Sequence, residues 1–152
     1  MTDTSNYPQL LEQAKSLIAG EPDLIANLAN ISALLYHNMQ DVNWAGFYLY
    51  KDDQLVLGPF QGLPACIRIP MGKGVCGTAA ATNTIQRIED VHQFAGHIAC
   101  DAASNSEIVI PITVNGALLG VLDIDSPKLA RFSAEDEAGL AAIVNALVAE
   151  LA

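Results

Sequence analysis

The sequence predicts an α+β domain, with helices at both ends and a central, mostly antiparallel sheet of about six strands. Three observations predict this fold class. Apolar residues recur at helical spacing near both termini, and aromatic and β-branched runs separated by turn residues occupy the middle. An Asn-Gly pair stands between two of these runs, as in a hairpin. The chain has 152 residues, so we expect one domain over residues 1–152.

Apolar stripes predict the helices near the two ends. The first helix covers residues 10–18 and is ended by Gly20, and a second begins after Pro22-Asp23. The last helix opens at Ser133-Ala134-Glu135-Asp136, which resembles a capping box although its final residue is Asp instead of Glu or Gln. Its buried stripe is predicted to be Leu140, Ile143, Val144, Leu147 and Leu151.

Short strands are predicted between these helices. They cover residues 44–50, 55–60, 66–70 and 84–88, followed by a hairpin of residues 108–114 and 117–125 around Asn115-Gly116. A loop containing Gly72, Gly74 and Gly77 leads into a short alanine-rich helix. Residues 92–106 have weak periodicity and are predicted to form a long loop, which in a compact domain is commonly functional or mobile.

Charge and hydropathy exclude several classes of protein. The net charge is −10 and the pI is about 4.4, which argues against nucleic acid as a partner, because phosphate binding needs clustered Lys and Arg. A membrane-spanning helix needs about 18 consecutive apolar residues, and the sequence contains no such run. The N-terminus lacks the basic and apolar regions of a secretion signal. We therefore expect a cytoplasmic protein with reduced thiols and no membrane partner.

Three cysteines, Cys66, Cys76 and Cys100, are the first candidates for chemistry. Cys76 stands at the predicted start of a helix, where the helix dipole favours a thiolate. Cys100 stands in the polar loop, a setting that suits a thiol that changes partners, and Cys66 lies on or beside a strand. Simple buried cysteines are one alternative, and a zinc site completed by His92 or His97 is another, although no CxxC pair is present.

Two further features could bind small polar groups. The glycine loop resembles an anion cradle made of backbone amides, although a tight structural turn explains it equally well. Asp123 and Asp125 share one face of a strand, where neighbouring carboxylates can raise one pKa into the range of a proton donor. A two-residue turn would pair Glu107 with Ile124, on the opposite face from the aspartates. An acidic triad needs a three-residue turn or another bulge.

Trp44 and Tyr48 share a face of the first strand because they are four residues apart. Aromatic residues at this spacing are most often part of a core. The alternative is that this single tryptophan forms the wall of a pocket for a small apolar or cationic group.

Five segments combine these features into one pattern: Asn43-Trp44-Ala45-Gly46-Phe47-Tyr48, Gly58-Pro59-Phe60-Gln61-Gly62, Gly74-Val75-Cys76-Gly77, Ser106-Glu107-Ile108-Val109 and Gly120-Val121-Leu122-Asp123-Ile124-Asp125-Ser126. Together they resemble the free methionine-R-sulfoxide reductases, which are GAF-domain enzymes. The resemblance covers the chain from about residue 7 to its end, and all three cysteines fall at the family's spacing.

The resemblance implies a GAF-like fold, a homodimer, and thioredoxin-dependent reduction of free methionine-(R)-sulfoxide without a cofactor or metal. Oxidised methionine within proteins would not be a substrate. Cys100 would attack the sulfoxide sulfur and become a sulfenic acid. Cys66 would resolve it as a disulfide, with Cys76 close to the site as an alternative exchange partner.

The same resemblance assigns the remaining site residues. Glu107, Asp123 and Asp125 would bind the polar groups of the substrate and help to protonate the sulfoxide oxygen. Trp44, with Tyr48 on the same face, would pack against the substrate methyl group. We add the hypothesis that the amides near Gly74–Gly77, that of Val75 included, receive the carboxylate of the amino acid.

A ligand-sensing GAF module, for example one that binds a cyclic nucleotide, is the chief rival. Phe132-Ser133-Ala134-Glu135-Asp136-Glu137 fits the Phe-x3-Asp-Glu half of the cyclic-nucleotide signature. The preceding Asn-Lys half is absent, since Lys128 follows a proline.

Overall fold

The structure, a computed structural model, describes residues 6–97 and 103–152. Two helices, α1 and α2, come first, a short helix α3 lies mid-chain, and a long helix α4 closes the chain. Their bounds are Tyr7–Ile18, Leu24–Asn38, Gly74–Thr82 and Ala134–Leu151. The strands β1 to β6 are Trp44–Lys51, Gln54–Gly62, Arg68–Pro70, Gln86–Ile88, Ser106–Val114 and Ala117–Ser126.

Within the described residues, the six strands form one sheet in the order β3-β2-β1-β6-β5-β4, and every neighbouring pair is antiparallel. The predicted α+β class is therefore confirmed. The strands from the predicted hairpin occupy central positions, and β1 lies beside β6. Residues from three different parts of the chain thus meet in the middle of the sheet.

Helix ends follow the local chemistry of the sequence. Asp23 caps α2, and its carboxylate accepts a hydrogen bond from the Ala26 amide at 2.8 Å. Ser133 and Asp136 form the predicted capping box at the start of α4. Asp136 also accepts hydrogen bonds from the Tyr7 hydroxyl and the Arg131 guanidinium, which tie α1 to the start of α4.

The two faces of the sheet are packed differently. Ala45, Phe47 and Leu49 of β1 and Leu122 and Ile124 of β6 belong to a large apolar core shared with α1, α2 and α4. The alternating residues of the same strands face α3 and a smaller core. Period-two alternation thus separates a helix-covered face from an α3-covered face.

A bulge in β6 sets the register of the central hairpin. The turn Asn115-Gly116 has two residues, both at positive φ (52° and 81°), so Val114 pairs with Ala117. The register then shifts by one residue around Leu119, because Thr113 pairs with Leu118 whereas Ile112 pairs with Gly120. Glu107 therefore lies opposite Asp125, on the face of both aspartates. The additional-bulge alternative from the sequence is the correct one.

Three predicted boundaries need correction. The strand predicted over residues 66–70 begins only at Arg68, so Cys66 lies in a loop before it. The strand predicted from residue 84 begins at Gln86. The predicted loop over residues 92–106 overlaps a 3₁₀ turn at its start and β5 at its end. None of the described helices has the length and apolar character needed to cross a membrane.

Candidate active site

The site is built on two rows of side chains that cross the sheet. In the first row Trp44 of β1, Asp125 of β6 and Glu107 of β5 lie directly opposite one another. In the second row Asp123 lies between Gly46 and Val109. Directly opposed residues in antiparallel strands point to the same face. The register therefore brings the three acids together on the α3-covered face.

Stacked aromatic rings form one wall of the site. The Trp44 and Tyr48 rings are 5.9 Å apart and inclined by 22°, and the Phe60 ring also stacks on Trp44, with the two centroids 5.1 Å apart. Both Trp44 and Tyr48 are buried. A Cβ atom at Gly46 would lie 2.2 Å from the Phe60 Cβ, so glycine is required there for β2 to approach β1. The wall is therefore a buried, closely packed aromatic surface.

The N-terminus of α3 faces this wall. Gly74, Val75 and Cys76 are buried in the first turn, and their amides precede the first intrahelical hydrogen bond. The N-cap residue Lys73 makes no side-chain capping bond to the helix. The Gly77 amide donates a hydrogen bond to the Lys73 carbonyl at 3.0 Å, so it is not available to an anion. The amides of the three preceding residues are the ones that could bind an anion.

Cys76 lies against the carboxylates, and this changes the chemistry expected for it. Its Sγ is 3.8 Å from Glu107 Oε2, and the thiol is buried and free. Burial, and then the charges of Asp123 and Glu107, raise the pKa of the Cys76 thiol. The expectation that a helix start makes Cys76 a good thiolate is therefore wrong, because local dipole stabilisation is outweighed by burial beside acids.

The two buried acids hold protons more tightly than ordinary carboxylic acids do. Burial raises the pKa of Glu107, and the neighbouring charge of Asp123 raises it further. Burial and the charge of Asp125 raise the pKa of Asp123 in the same way. Asp123 Oδ1 is buried without a hydrogen-bond partner. A protonated carboxyl group in this position can donate a hydrogen bond or a proton to a bound polar atom.

A pocket joins these elements and contains most of the residues singled out in the sequence. Its lining includes Trp44, Tyr48, Gly74, Val75, Cys76, Glu107, Asp123 and Asp125. Sequence reasoning missed other lining residues, among them Lys73, His97 and Ser104. His97 was considered only as a zinc ligand. Burial and the nearby His92 lower its pKa, so it is a neutral imidazole at physiological pH.

The other two cysteines differ in what the structure describes. Cys66 is half-buried in the loop between β2 and β3, and its carbonyl accepts a hydrogen bond from the Tyr48 hydroxyl at 2.9 Å. Cys66 thus lies at the edge of the aromatic wall. Cys100 falls outside the described residues.

One cluster at the site has the donor atoms of a metal site. Among the residues that the structure describes, Cys76, Glu107 and Asp123 have ligand atoms within 4.8 Å of one another. A cation could bind there only by displacing protons that burial holds on these groups. His92, one of the zinc ligands considered from sequence, instead bonds Asn105 through Nε2 at 2.9 Å.

The residues that matched half of a cyclic-nucleotide signature have structural contacts. Asp136 completes the capping box of α4, and Glu137 pairs with Arg87 at 3.0 Å. Neither residue lines the pocket described above. This half-signature is therefore explained by the folding of α4.

Comparisons with known proteins agree with this geometry. Residues 23–151 match the GAF domain family. Over 152 residues the chain is 60% identical to the free methionine-R-sulfoxide reductase of Escherichia coli, covering all of this chain and 92% of that protein. The structure of fRMsr of Staphylococcus aureus in complex with substrate superposes with a TM-score of 0.96 at 52% identity, covering 100% of this chain and 99% of that one.

A more distant relative is similar over most of its length. The free methionine-R-sulfoxide reductase of Neisseria meningitidis, solved in complex with its substrate, has a TM-score of 0.93 at 41% identity, covering 99% of this chain and 93% of that one. The fold and the pocket thus define a GAF-domain protein. Within that class, the chain belongs to the free methionine-R-sulfoxide reductase family of oxidoreductases.

Proposed function

We propose that this protein reduces free methionine-(R)-sulfoxide to methionine, using Cys100 as the nucleophile and thioredoxin as the reductant. The observation that carries the proposal is the pair of buried, proton-holding acids, Glu107 and Asp123, beside a thiol and a stacked aromatic wall. The E. coli relative, 60% identical over the full chain, is named for this activity.

The acids supply what sulfoxide reduction demands. A thiol attacks the sulfoxide sulfur more readily when the oxygen is protonated, because negative charge then does not accumulate on that oxygen. Glu107 and Asp123 donate these protons, since burial raises the pKa of both carboxyl groups and so favours their protonated forms. Asp125 is half-buried and lies directly opposite Glu107, and it receives the ammonium group of the substrate.

Shape and backbone dipoles select a free amino acid. The Trp44 ring packs against the substrate methyl group, and Tyr48 extends the same wall. The amides of Gly74, Val75 and Cys76 receive the carboxylate at the start of α3, where the helix dipole favours an anion. A methionine sulfoxide inside a protein has neither a free carboxylate nor a free ammonium group to bind these two positions.

The cysteine steps conserve atoms and electrons. The sulfoxide oxygen passes to Cys100, so the thiol is oxidised by two electrons to a sulfenic acid and the sulfoxide becomes methionine. Cys66 then attacks the Cys100 sulfur, the sulfenic oxygen leaves as water, and a disulfide forms. The dithiol of thioredoxin reduces this disulfide and is oxidised in turn. We place this cycle in a homodimer in the cytoplasm, whose thiol pool is reducing.

A thioredoxin-coupled assay tests the proposal. NADPH oxidation through thioredoxin reductase and thioredoxin is followed with each free epimer and with a peptide that contains methionine-(R)-sulfoxide. We expect turnover with the free R-epimer only, and its loss in Cys100→Ser. Turnover of the peptide, or turnover that survives in Cys100→Ser, would contradict the proposal.

Two further variants separate the roles of the remaining cysteines. Cys66→Ser should still form one methionine per chain but should no longer turn over with thioredoxin. Cys76→Ser should keep thioredoxin-dependent turnover, because a thiol with a raised pKa beside two acids is a poor attacking group. The reverse pattern would identify Cys76 as the exchange partner.

A further inference from the structure

The loop that carries Cys66 has few backbone contacts of its own. We call residues 63–67 the Cys66 loop, and it joins β2 to β3 without helix or strand structure. Its Leu63 and Ile67 side chains are 64% and 67% exposed. One backbone hydrogen bond, from the Leu57 amide to the Ile67 carbonyl at 2.8 Å, connects its end to β2.

Two aromatic side chains of β1 attach this loop to the pocket wall. Trp44 donates its indole N–H to the Leu63 carbonyl at 3.1 Å, and Tyr48 donates its hydroxyl to the Cys66 carbonyl at 2.9 Å. The two donors are buried to 2% exposure and stack on one another. The buried wall thus holds the loop at both its first residue and its cysteine.

Gly62, the last residue of β2 before the loop, also lies close to the Trp44 ring. Gly62 has a φ of +135°, and a Cβ atom there would lie 2.6 Å from Trp44 Cδ1 and 2.8 Å from the Asn43 carbonyl oxygen. Only glycine lets the backbone turn across the indole at this point. The indole of Trp44 therefore packs against Gly62 and donates a hydrogen bond to the next residue, Leu63.

The Tyr48 hydroxyl has a role that substrate packing does not explain. Packing against a methyl group uses the ring, and phenylalanine would provide the same apolar surface. Burial of the phenol is costly unless its hydroxyl finds a partner, and that partner is the backbone of Cys66 itself. The hydroxyl acts on the position of this cysteine.

We propose that Tyr48 and Trp44 are positioning residues for the second chemical step, and that they hold the Cys66 loop where its thiol can reach the oxidised nucleophile. This inference rests on the proposed function. In that step the Cys66 sulfur bonds to the Cys100 sulfur, the sulfenic S–O bond breaks, and the oxygen leaves as water after taking up a proton. A loop held in place forms the disulfide faster than a loop that must first find this position.

A single-turnover experiment separates the two steps. Reduced Tyr48→Phe is mixed with free methionine-(R)-sulfoxide without reductant, and methionine release and loss of thiols are both followed over time. A dimedone trap with mass spectrometry reports the sulfenic acid. We expect the ratio of the disulfide rate to the methionine rate to fall about tenfold, as for a lost buried hydrogen bond, with sulfenic acid accumulating.

Tyr50→Phe is the matched control. It removes the hydroxyl of another tyrosine of β1, which bonds Asp53 at 3.0 Å on the exposed side and does not line the pocket. Its rate ratio should equal that of the wild type. Equal slowing of both steps in Tyr48→Phe, or no change in their ratio, would overturn the inference. A wild-type protein that releases no methionine would instead contradict the proposed function.

A second variant provides a readout that does not depend on activity. In reduced Trp44→Phe and Tyr48→Phe, the alkylation of Cys66 by iodoacetamide is resolved by mass spectrometry. Both variants should alkylate Cys66 several-fold faster than the wild type or Tyr50→Phe, because the loop has lost an anchor. Unchanged alkylation in both variants would show that the two hydrogen bonds do not hold the loop.

Discussion

The two faces of the central sheet use the same strands for opposite purposes. Leu122 and Ile124 of β6 point into an apolar core under α1, α2 and α4, whereas Asp123, between them in sequence, points into the pocket under α3. The first face stabilises the fold by burying hydrocarbon. The second face buries carboxylic acids, which lowers the stability of the fold, and this burial raises their pKa values. Substitution of Asp123 should therefore lower the activity, whereas substitution of the adjacent Leu122 should lower the stability of the fold.

The largest effect is expected on the pocket face. Asp123→Asn and Glu107→Gln each replace a buried carboxyl group, the proposed proton donor, by an amide of the same shape. We expect kcat/KM for free methionine-(R)-sulfoxide to fall by about 10²–10⁴-fold, the usual contribution of general acid catalysis. The free energy of unfolding, measured in urea at neutral pH, should not fall. An unchanged kcat/KM would remove these acids from the mechanism.

The adjacent residue on the other face should show the reverse. Leu122→Ala opens a cavity in the large core, where Leu122 is 1% exposed. The expected loss in the free energy of unfolding is about 2–5 kcal/mol. The kcat/KM of the molecules that remain folded should stay within about threefold of the wild type. A selective loss of kcat/KM without loss of stability would contradict the division between the faces.

The acids on the pocket face should also make the free energy of unfolding depend on pH. Glu107 and Asp123 have pKa values raised by burial, so above about pH 4 the folded protein binds protons that the unfolded chain has released. Stability from these protons is complete below the unfolded pKa and is lost as pH rises towards the folded pKa. The free energy of unfolding should fall by about 1.4 kcal/mol per pH unit for each retained proton.

The double variant Glu107→Gln/Asp123→Asn isolates this contribution. Urea unfolding of the wild type and the double variant is compared between about pH 5 and pH 8. The wild type should lose stability more steeply than the double variant over this window. Parallel curves would show that the buried carboxyl groups are already ionised in the folded protein.

The smallest effect is expected at the start of α3. Gly74→Leu should raise KM for the sulfoxide about tenfold and lower kcat less, because it obstructs the amides proposed to bind the carboxylate. Gly72→Leu is the control, since both glycines have positive φ (64° and 81°) but Gly72 has open space around it and does not line the pocket. An unchanged KM for Gly74→Leu, or the same rise in both variants, would contradict this carboxylate site.

Local patterns predicted much of the fold because the forces behind them are local. Helix caps, helical stripes and the Asn115-Gly116 turn depend on residues near in sequence, and the structure agrees with them. The alignment of Glu107 with Asp125 depends on a bulge around Leu119, which the alternation of apolar residues does not reveal. For that reason the sequence left two registers open.

Predictions at the site failed where distant parts of the chain meet. The thiolate expected at Cys76 followed from the local helix start alone. Burial, and then the charges of Glu107 on β5 and Asp123 on β6, raise the pKa of the Cys76 thiol and reverse the expected direction of its shift. His97 and Ser104 likewise reach the pocket through tertiary contacts that no spacing rule predicts. The assigned roles of Cys66 and Cys100 stay predictions.

Epimer selectivity and its dependence on Asp123 are measured together in a mixture of both free sulfoxides. The reduced protein, recycled by a dithiol, is given an equal mixture of the R- and S-epimers of free L-methionine sulfoxide. Both epimers are quantified by chromatography until the reaction stops. The account predicts that the R-epimer is consumed completely, that the S-epimer remains, and that Asp123→Asn slows this consumption by about 10²-fold or more. Consumption of both epimers, or of neither by folded and fully reduced protein, would contradict it.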